Sequence, residues 1–470
     1  MSEATARLEQ RIAEEQQAFA RPLRSFLKRA PVTCAPELRV AEAAARMRSE
    51  DVGSLIVVDA AGRPVGIVTN QDIVEAVGGA KSAAVVSEIM TAKPVSLPAH
   101  ALAYEAAAAM IAQRIRHVLV TEDARLVGVV SERDLFSLQR LGLSELAMEI
   151  RLAPGIEVLA GLAAEVRGLT RAMVEQGVGA QQLTLFVSVL NDRIGARAIE
   201  IVRKRHDLER ISWCWLAFGS EGRFEQTFAS DQDNGLLFAA HEGAAAGEAR
   251  ARLLPFARQV NEALDACGYP LCKGNVMASN PELCLSLEEW KAKMARWIEV
   301  TMPKALLEAA ICFDFRALYG DASLSQALRD WVSARVRAQP AFLRHLADAA
   351  LQGRPALGRF GGFATEGGSI NLKLHGAKVF VDAARVYALA YGLQQTNTAE
   401  RLRAARVHLG MDEQDLAGTI DGFYFVQSLR LRVGNQVSPE RLNRLQRAML
   451  KEALRLGGEL QSRLALDYRL

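Results

Sequence analysis

Two stretches near the start of the chain share one rhythm of apolar and polar positions. In each, an amphipathic run with apolar residues three and four apart leads into a short β-branched run. A turn, a second β-branched run and another amphipathic run come after it. The first stretch is "PVTCAPELRVAEAAARMRSEDVGSLIVVDAAGRPVGIVTNQDIVEA" and the second is "PVSLPAHALAYEAAAAMIAQRIRHVLVTEDARLVGVVSERDLFSL". Gly66, Thr69 and Asp72 of the first recur 62 positions later as Gly128, Ser131 and Asp134. Self-similarity at a fixed period marks a duplicated structural unit, here a βαββα repeat over residues 31–142. The segment 1–30, which opens with the charged run "MSEATARLEQRIAEEQQ", predicts a helical lead-in.

From 143 to 210 the period lengthens to that of amphipathic helices, as in "LAGLAAEVRGLTRAMVEQ" and "LFVSVLNDRIGARAIEIVRKR". Gly/Ser-rich and Pro-rich linker composition is absent there, which predicts a connector packed on the region beyond residue 210. Next, "ISWCWLAF" predicts a strand, "GS" a turn, "EGRFEQTF" a short helical segment, and "DNGLLFAA" a second strand entered through Asp231 and Asp233. The alternation in "AAICFDFRALYGD" predicts another strand, with Ile311, Phe313 and Phe315 on one face and Cys312, Asp314 and Arg316 on the other. "CKGNVMASNPELCLSLEEW" supplies a loop or surface hairpin holding Lys273 and Asn275, and from 323 the spacing suits an antiparallel helical bundle. The fold class expected is α/β multidomain, divided as 1–30, 31–142, 143–322 and 323–470.

Composition narrows this only a little. A chain of 470 residues has room for about three domains. With 50% apolar residues, 24% charged residues and a net charge of +3, neither disorder nor a general nucleic-acid surface is implied. No apolar stretch approaches the roughly 18 residues of a membrane span, and the charged N-terminus does not read as a signal peptide, so a cytoplasmic protein without a membrane partner is expected. Six cysteines include no C-x-x-C pair of zinc spacing and predict reduced core residues.

The chemistry concentrates in "FGSEGRFEQTFASDQDN", residues 218–234. On a strand, Asp231 and Asp233 would share a face as two like charges, so either the segment is a solvated acidic turn or a cation sits between them. A serine after a strand-ending glycine offers a hydroxyl and backbone amides to phosphate oxygens. Carboxylates are the hard ligands Mg²⁺ prefers when it bridges a protein to substrate phosphates. Asp314 is the candidate for a third carboxylate, with a plain ion pair to Arg316 as the other reading and Asp321 as the substitute. In the repeats, Asp72 and Asp134 open helices where a carboxylate accepts backbone amides, so both are also ordinary caps.

The doubled βαββα unit, with its doubled G-h-[VI]-[TS]-x-x-D motif in which h is apolar, resembles the cystathionine-beta-synthase (CBS) domain pair. That resemblance implies an adenine nucleotide, AMP or ATP, held by Thr69 and Asp72 and by Ser131, Arg133 and Asp134. His117 is placed to face the same cleft or to close a strand end. It also implies a homodimer formed through the pair. "GSEGRFEQTFASDQDN" resembles the DNA polymerase beta nucleotidyltransferase superfamily, and more narrowly the nucleotidyltransferases related to the PII-protein uridylyltransferase, with a helical substrate-binding domain behind them. In this sequence Gln232 stands where many superfamily members carry an apolar residue. The likeness implies that Gly219, Ser220, Arg223, Lys273 and Asn275 hold the nucleotide and that Asp231 and Asp233 ligate Mg²⁺, or Mn²⁺ in its place. It calls for a third carboxylate as general base and shared metal ligand, and Asp314 is the candidate. His375 and Lys378, and Arg430 and Arg432, stand where the helical domain could meet a triphosphate or acidic acceptor. The expected activity is transfer of a nucleoside monophosphate from a nucleoside triphosphate to a protein or small-molecule acceptor, in signal transduction. The alternative is a non-catalytic nucleotide sensor that acts through a partner.

Overall fold

A computed structural model describes residues 21–470 apart from 28–29, 51, 79–83, 114, 116, 124, 132–142, 176–177, 229, 241–243, 300–309 and 359–361. The expected helical segment 1–30 therefore lies largely outside the described residues; within it, Leu23–Phe26 form a single 3₁₀ turn. The chain divides into two compact units, Met1–Glu145 and Leu146–Leu470. Apart from residues 143–145, the expected regions 143–322 and 323–470 fall in one unit.

The first unit holds both repeats. Strands β1 (Thr33–Cys34), β2 (Ser54–Val58), β3 (Pro64–Thr69) and β4 (Thr91–Ala92) form one sheet in that order, with helices α1 (Val40–Ser49) and α2 (Asn70–Gly78). Strands β5 (Ser96–Pro98), β6 (His117–Glu122) and β7 (Arg125–Ser131) form a second, with helix α3 (Ala103–Gln113). Leu55, Val57 and Val68 pack with Val40, Met47 and Ile73 on one side of the first sheet. Val118, Val120 and Val130 meet Phe26, Ala106 and Met110 in the second repeat. Ile56 and Ile67 on the opposite sheet face meet Leu119, so the repeats close a small joint core. The repeated glycine has a packing cause. A side chain on Gly66 would overlap Met90 and one on Gly128 would overlap Leu27. Thr69 donates both its backbone N–H (2.7 Å) and its hydroxyl (2.8 Å) to the Asp72 carboxylate, closing the start of α2. Arg133 and Asp134 lie outside the described residues.

Helix α4 (Leu143–Leu152) runs into the second unit, and α5 (Ile156–Glu175) and α6 (Ala180–Arg203) come after it. Strand β8 (Trp213–Ala217), a one-turn helix α7 (Gly219–Gly222), β9 (Asn234–Phe238), α8 (Ala244–Ala266), β10 (Cys284–Ser286), α9 (Leu287–Glu299) and β11 (Arg316–Gly320) come next. The sheet order is β10-β9-β8-β11, with β8 antiparallel to both of its neighbours and β10 parallel to β9. The remaining helices are α10 (Ala322–Arg337), α11 (Pro340–Gln352), α12 (Lys378–Tyr391), α13 (Thr398–Leu409), α14 (Glu413–Val433) and α15 (Arg444–Tyr468). A two-stranded pair, β12 (Ile370–Asn371) with β13 (Gln436–Val437), ties the start of α12 to the end of α14. Leu216, Phe218 and Phe313 share one core with Phe342, Phe380, Phe423 and Leu450, so sheet and bundle are welded by apolar burial. Among the described residues no helix is long and apolar enough to cross a membrane.

Two expected elements are corrected here. The strand predicted from Ile311 starts only at Arg316, because residues 310–312 close a helix and the chain then turns. Cys312, Phe313, Asp314 and Phe315 are all buried, so the apparent alternation reflects burial on every side. The helical segment predicted over "EGRFEQTF" is the single turn Gly219–Gly222, which ends just before Arg223.

Candidate active site

The acid pair and the glycine-serine turn meet at the end of the two central strands. Ala217 pairs with Asn234, and the Phe218 N–H donates to the Asp233 carbonyl at 2.8 Å, carrying the ladder one step beyond the strands. Gly219 then turns with φ +55, and a side chain there would stand 2.8 Å from Asp233 Oδ2. Glycine is what lets the turn and the carboxylate abut. Phe224 closes the turn with φ +57, a costly conformation for a bulky residue. The Arg316 guanidinium stacks 3.8 Å from its ring centroid and holds it there.

Asp231 and Asp233 precede β9 instead of lying on it; Asp231 is exposed and Asp233 partly buried. Between them Gln232 is buried, and its amide is fully employed. It donates to the carbonyls of Asn261 (3.0 Å) and Tyr269 (2.8 Å) and accepts from Asn261 Nδ2 (2.7 Å). The polar residue at a position often apolar is thus a bracket that pins the acid segment to α8. Burial pushes the Asp233 carboxyl above its ordinary pKa and neighbouring Asp231 adds to this, while a hydrogen bond from the Cys272 thiol, Lys373 and Arg223 pull the other way. Cys272 therefore departs from the expectation of six core cysteines; the other five are buried. Burial, with Asp192 and Asp233 as neighbouring like charges, pushes the Glu221 carboxyl up to about 8 against the pull of Arg316.

Asp314 is not beside this pair as a free carboxylate. It sits in the turn before β11, fully buried, inside a cage of three guanidinium groups. Arg385 grips both oxygens (3.0 and 2.6 Å), Arg401 donates to Oδ1 at 2.6 Å and Arg223 to Oδ2 at 2.7 Å. Burial alone would raise its pKa. The charges of Arg385, Arg401 and Arg223 outweigh burial and hold the carboxyl well below the usual carboxylate range. Four charge-assisted hydrogen bonds leave no lone pair for a metal and no affinity for a substrate proton, which corrects the expected roles of general base and shared metal ligand. Asp321, the substitute, caps α10 by accepting the Ser323 N–H at 3.0 Å and also accepts the Ser212 hydroxyl at 2.7 Å.

The family model described as "Putative nucleotidyltransferase DUF294" matches residues 164–304, and "Putative nucleotidyltransferase substrate binding domain" matches 340–468. The two together span more than half of the chain. The model of the CBS domain matches twice, over 23–79 and 86–140. The chain carries a DUF294 putative nucleotidyltransferase region and its substrate-binding region, with a CBS pair ahead of them. An uncharacterized 17.7 kDa protein of Acidianus ambivalens is 34% identical over 101 residues, 21% of this chain and 62% of the relative. The chain thus spans about three-fifths of that relative's length. Among solved structures, a CBS-domain containing protein of Agrobacterium tumefaciens is 32% identical (26% of this chain, 96% of that one, TM-score 0.25). A CBS domain protein of Pyrobaculum aerophilum complexed with AMP is 28% identical (27% and 99%, TM-score 0.25).

Within the DUF294 region, Gly219 and Ser220 join Asp231 and Asp233 at one end of the sheet, whereas Arg223 turns inward to Glu225 (2.8 Å) and Asp314. Lys273 and Asn275 are exposed on their loop, where Asn275 has φ +54. The segment Lys373–Ala377 is a π-helical turn, so His375 and Lys378 do not share an α-helical face. His375 Nδ1 lies 3.0 Å from the Arg354 carbonyl, and Lys378 pairs with Asp382. Arg430 donates to Gln427 and Asn435, and Arg432 is exposed. Sequence spacing did not single out Lys373, whose positive charge helps to draw the Asp233 carboxyl down. In the CBS pair, His117 pairs across the ladder with Ser131, and both line a cavity of about 410 Å³ with Phe26, Val32, Gly53 and Ser54. Thr69 and Asp72 are bonded to one another as described.

Proposed function

We propose that the chain is a Mg²⁺-dependent nucleotidyltransferase that moves a nucleoside monophosphate from a nucleoside triphosphate to a protein or small-molecule acceptor. The supporting observation is the abutment of the Gly219–Ser220 turn and Asp233. It sets a phosphate-accepting loop against a carboxylate pair at the open end of a strand pair. An acceptor oxygen or nitrogen attacks the α-phosphorus, the bond to the β-phosphate oxygen breaks, pyrophosphate leaves and the acceptor loses its proton. Asp231 and Asp233 fit the metal as a two-carboxylate set; Mg²⁺ commonly takes one or two protein carboxylates and fills its octahedron with phosphate oxygens and water. Mn²⁺ suits the same ligands. Lys273 and Asn275 are assigned to the nucleotide from their loop beside Cys272. Among the described residues no cluster of three or more His, Cys, Asp or Glu could hold a metal, and Asp314 is caged. That observation favours the second reading, a nucleotide sensor acting through a partner. Incubation with each of the four α-labelled triphosphates, Mg²⁺ and host lysate separates the two. Labelled acceptor and released pyrophosphate support transfer, and tight nucleotide binding with no label in any arm supports the sensor.

The CBS pair is assigned an adenine nucleotide in the cavity lined by Ser131, with Asp134 and Arg133 as further ligands, and the protein is expected to be a cytoplasmic homodimer. A ligand there alters the transferase only if it binds one state of the molecule better than another, and coupling in binding is reciprocal. Saturating AMP is expected to change triphosphate affinity by about 5- to 150-fold. Ser131→Ala should remove that change and leave transfer without AMP intact. Identical calorimetric titrations with and without AMP, at proven AMP occupancy, would leave the pair as an assembly module.

A further inference from the structure

The glycine-serine turn is closed by its own backbone. The Arg223 N–H donates to the Gly219 carbonyl (3.1 Å), Phe224 to Glu221 (3.2 Å) and Glu225 to Ser220 (2.9 Å). Arg316 holds the Phe224 ring, and the residue after it is held by the substrate-binding region. Glu225 is buried, and its carboxylate accepts Arg223 Nε (2.8 Å), the Thr398 N–H (2.6 Å) and Asn397 Nδ2 (3.4 Å). Asn397 Nδ2 also donates to the Arg223 carbonyl at 3.1 Å, while its Oδ1 caps α13 by accepting the Glu400 N–H at 3.2 Å. Thr398 is the first residue of α13, and its amide is one of those a helix leaves without an internal partner. A carboxylate 173 residues away in the chain takes that place, where the helix dipole favours it. Apolar contacts already join sheet and bundle, and an apolar side chain at 225 would extend them without the cost of burying a charge.

We propose that Glu225 is a positioning residue, and that the fixed geometry of its carboxylate is what the buried charge adds to this seam. Helix α13 sets the carboxylate, and the Glu225 N–H, bonded to the Ser220 carbonyl, sets the Gly219–Ser220 turn for the triphosphate. The substrate-binding region thereby governs nucleotide affinity without touching the nucleotide. This rests on the transferase reading above.

Thr398 allows the tie to be cut at one donor. Its hydroxyl is buried with no hydrogen-bond partner among the described residues, so Thr398→Val keeps the shape and the N–H. Thr398→Pro removes the N–H at the first helical position, where proline is best tolerated, and Asn397 ahead of it already has the extended φ −65 and ψ 138 that proline requires of its predecessor. The full chain of each is titrated calorimetrically in Mg²⁺ with inorganic tripolyphosphate, the phosphate chain without base or ribose, below its melting temperature. Thr398→Pro is expected to bind at least about fivefold more weakly than Thr398→Val. A loss of stability alone produces no such difference in protein that stays folded. Glu225→Gln, which offers one acceptor oxygen to two donors, is expected to weaken binding relative to the wild type, and it decides the matter if Thr398→Pro does not fold. Asp231→Asn provides the separate control. No binding by the wild type, or wild-type binding that Asp231→Asn fails to weaken, overturns the transferase site and this inference with it. Binding that Asp231→Asn weakens, with equal affinities in Thr398→Val and Thr398→Pro, or in wild type and Glu225→Gln, overturns the role of Glu225 alone.

Discussion

Asp231→Asn is expected to cut nucleotide transfer by at least about 10²- to 10³-fold, the range seen when one charge-stabilising group is removed from an active site. The substitution keeps shape and removes the charge. Asp231 is exposed, so the fold should change by no more than about 0.5 kcal/mol. Asp233 loses a like-charged neighbour, which stabilises the metal-free protein if it does anything. Melting curves provide a second readout: triphosphate with Mg²⁺ at 100 times its dissociation constant should stabilise the wild type by about 2.7 kcal/mol, and the variant should lose most of that gain. A well-folded Asp231→Asn protein with full transfer would remove the acid pair from the chemistry.

Asp314→Ala is expected to be the most destabilising single change in the second unit. It leaves two buried guanidinium groups, Arg385 and Arg401, and the partly buried Arg223 around an empty site, and removing one partner from a buried pair costs about 3–5 kcal/mol. All five tryptophans lie between 213 and 331, so their fluorescence in a urea titration reports on the second unit alone. Because the folded pKa of Asp314 is depressed, its contribution is present above the ordinary carboxylate pKa and is lost as pH falls toward the depressed value. The gap between wild type and variant should therefore persist at pH 5. Asp314→Asn should lose activity in step with its folded fraction. Full folding with a selective loss of turnover would make Asp314 the base after all.

The repeats and the strands around the acid pair were legible because each is a local pattern. Duplicated β-branched runs and an aromatic strand entering a Gly-Ser turn carry their own signal. Asp314 was misplaced for a reason equally local. Ile-Cys-Phe-Asp-Phe alternates on paper, yet helices bury every residue from Cys312 to Phe315, and a short window holds no trace of Arg385 or Arg401. Gln232, the position at odds with its superfamily, could be explained only once Asn261 and Tyr269 were seen to close on it.

The arginine cage also orders events in time. Arg223 lies 91 residues before Asp314, Arg385 lies 71 after it and Arg401 lies 87 after it. A ribosome adding about 5–20 residues per second delivers Arg401 roughly 4–17 seconds after Asp314. Until Arg385 is added, 71 residues on, Arg223 is the one member of the cage yet made, and the nascent sheet carries a carboxylate destined for the interior. Burying it early would be costly. Side chains on both flanks of that turn, Phe313 and Phe315, must stay accessible to water or to a chaperone until the late helices emerge. Arrival of the helices that carry Arg385 and Arg401, more than closure of the sheet, sets the moment at which this half of the molecule can commit to its native state.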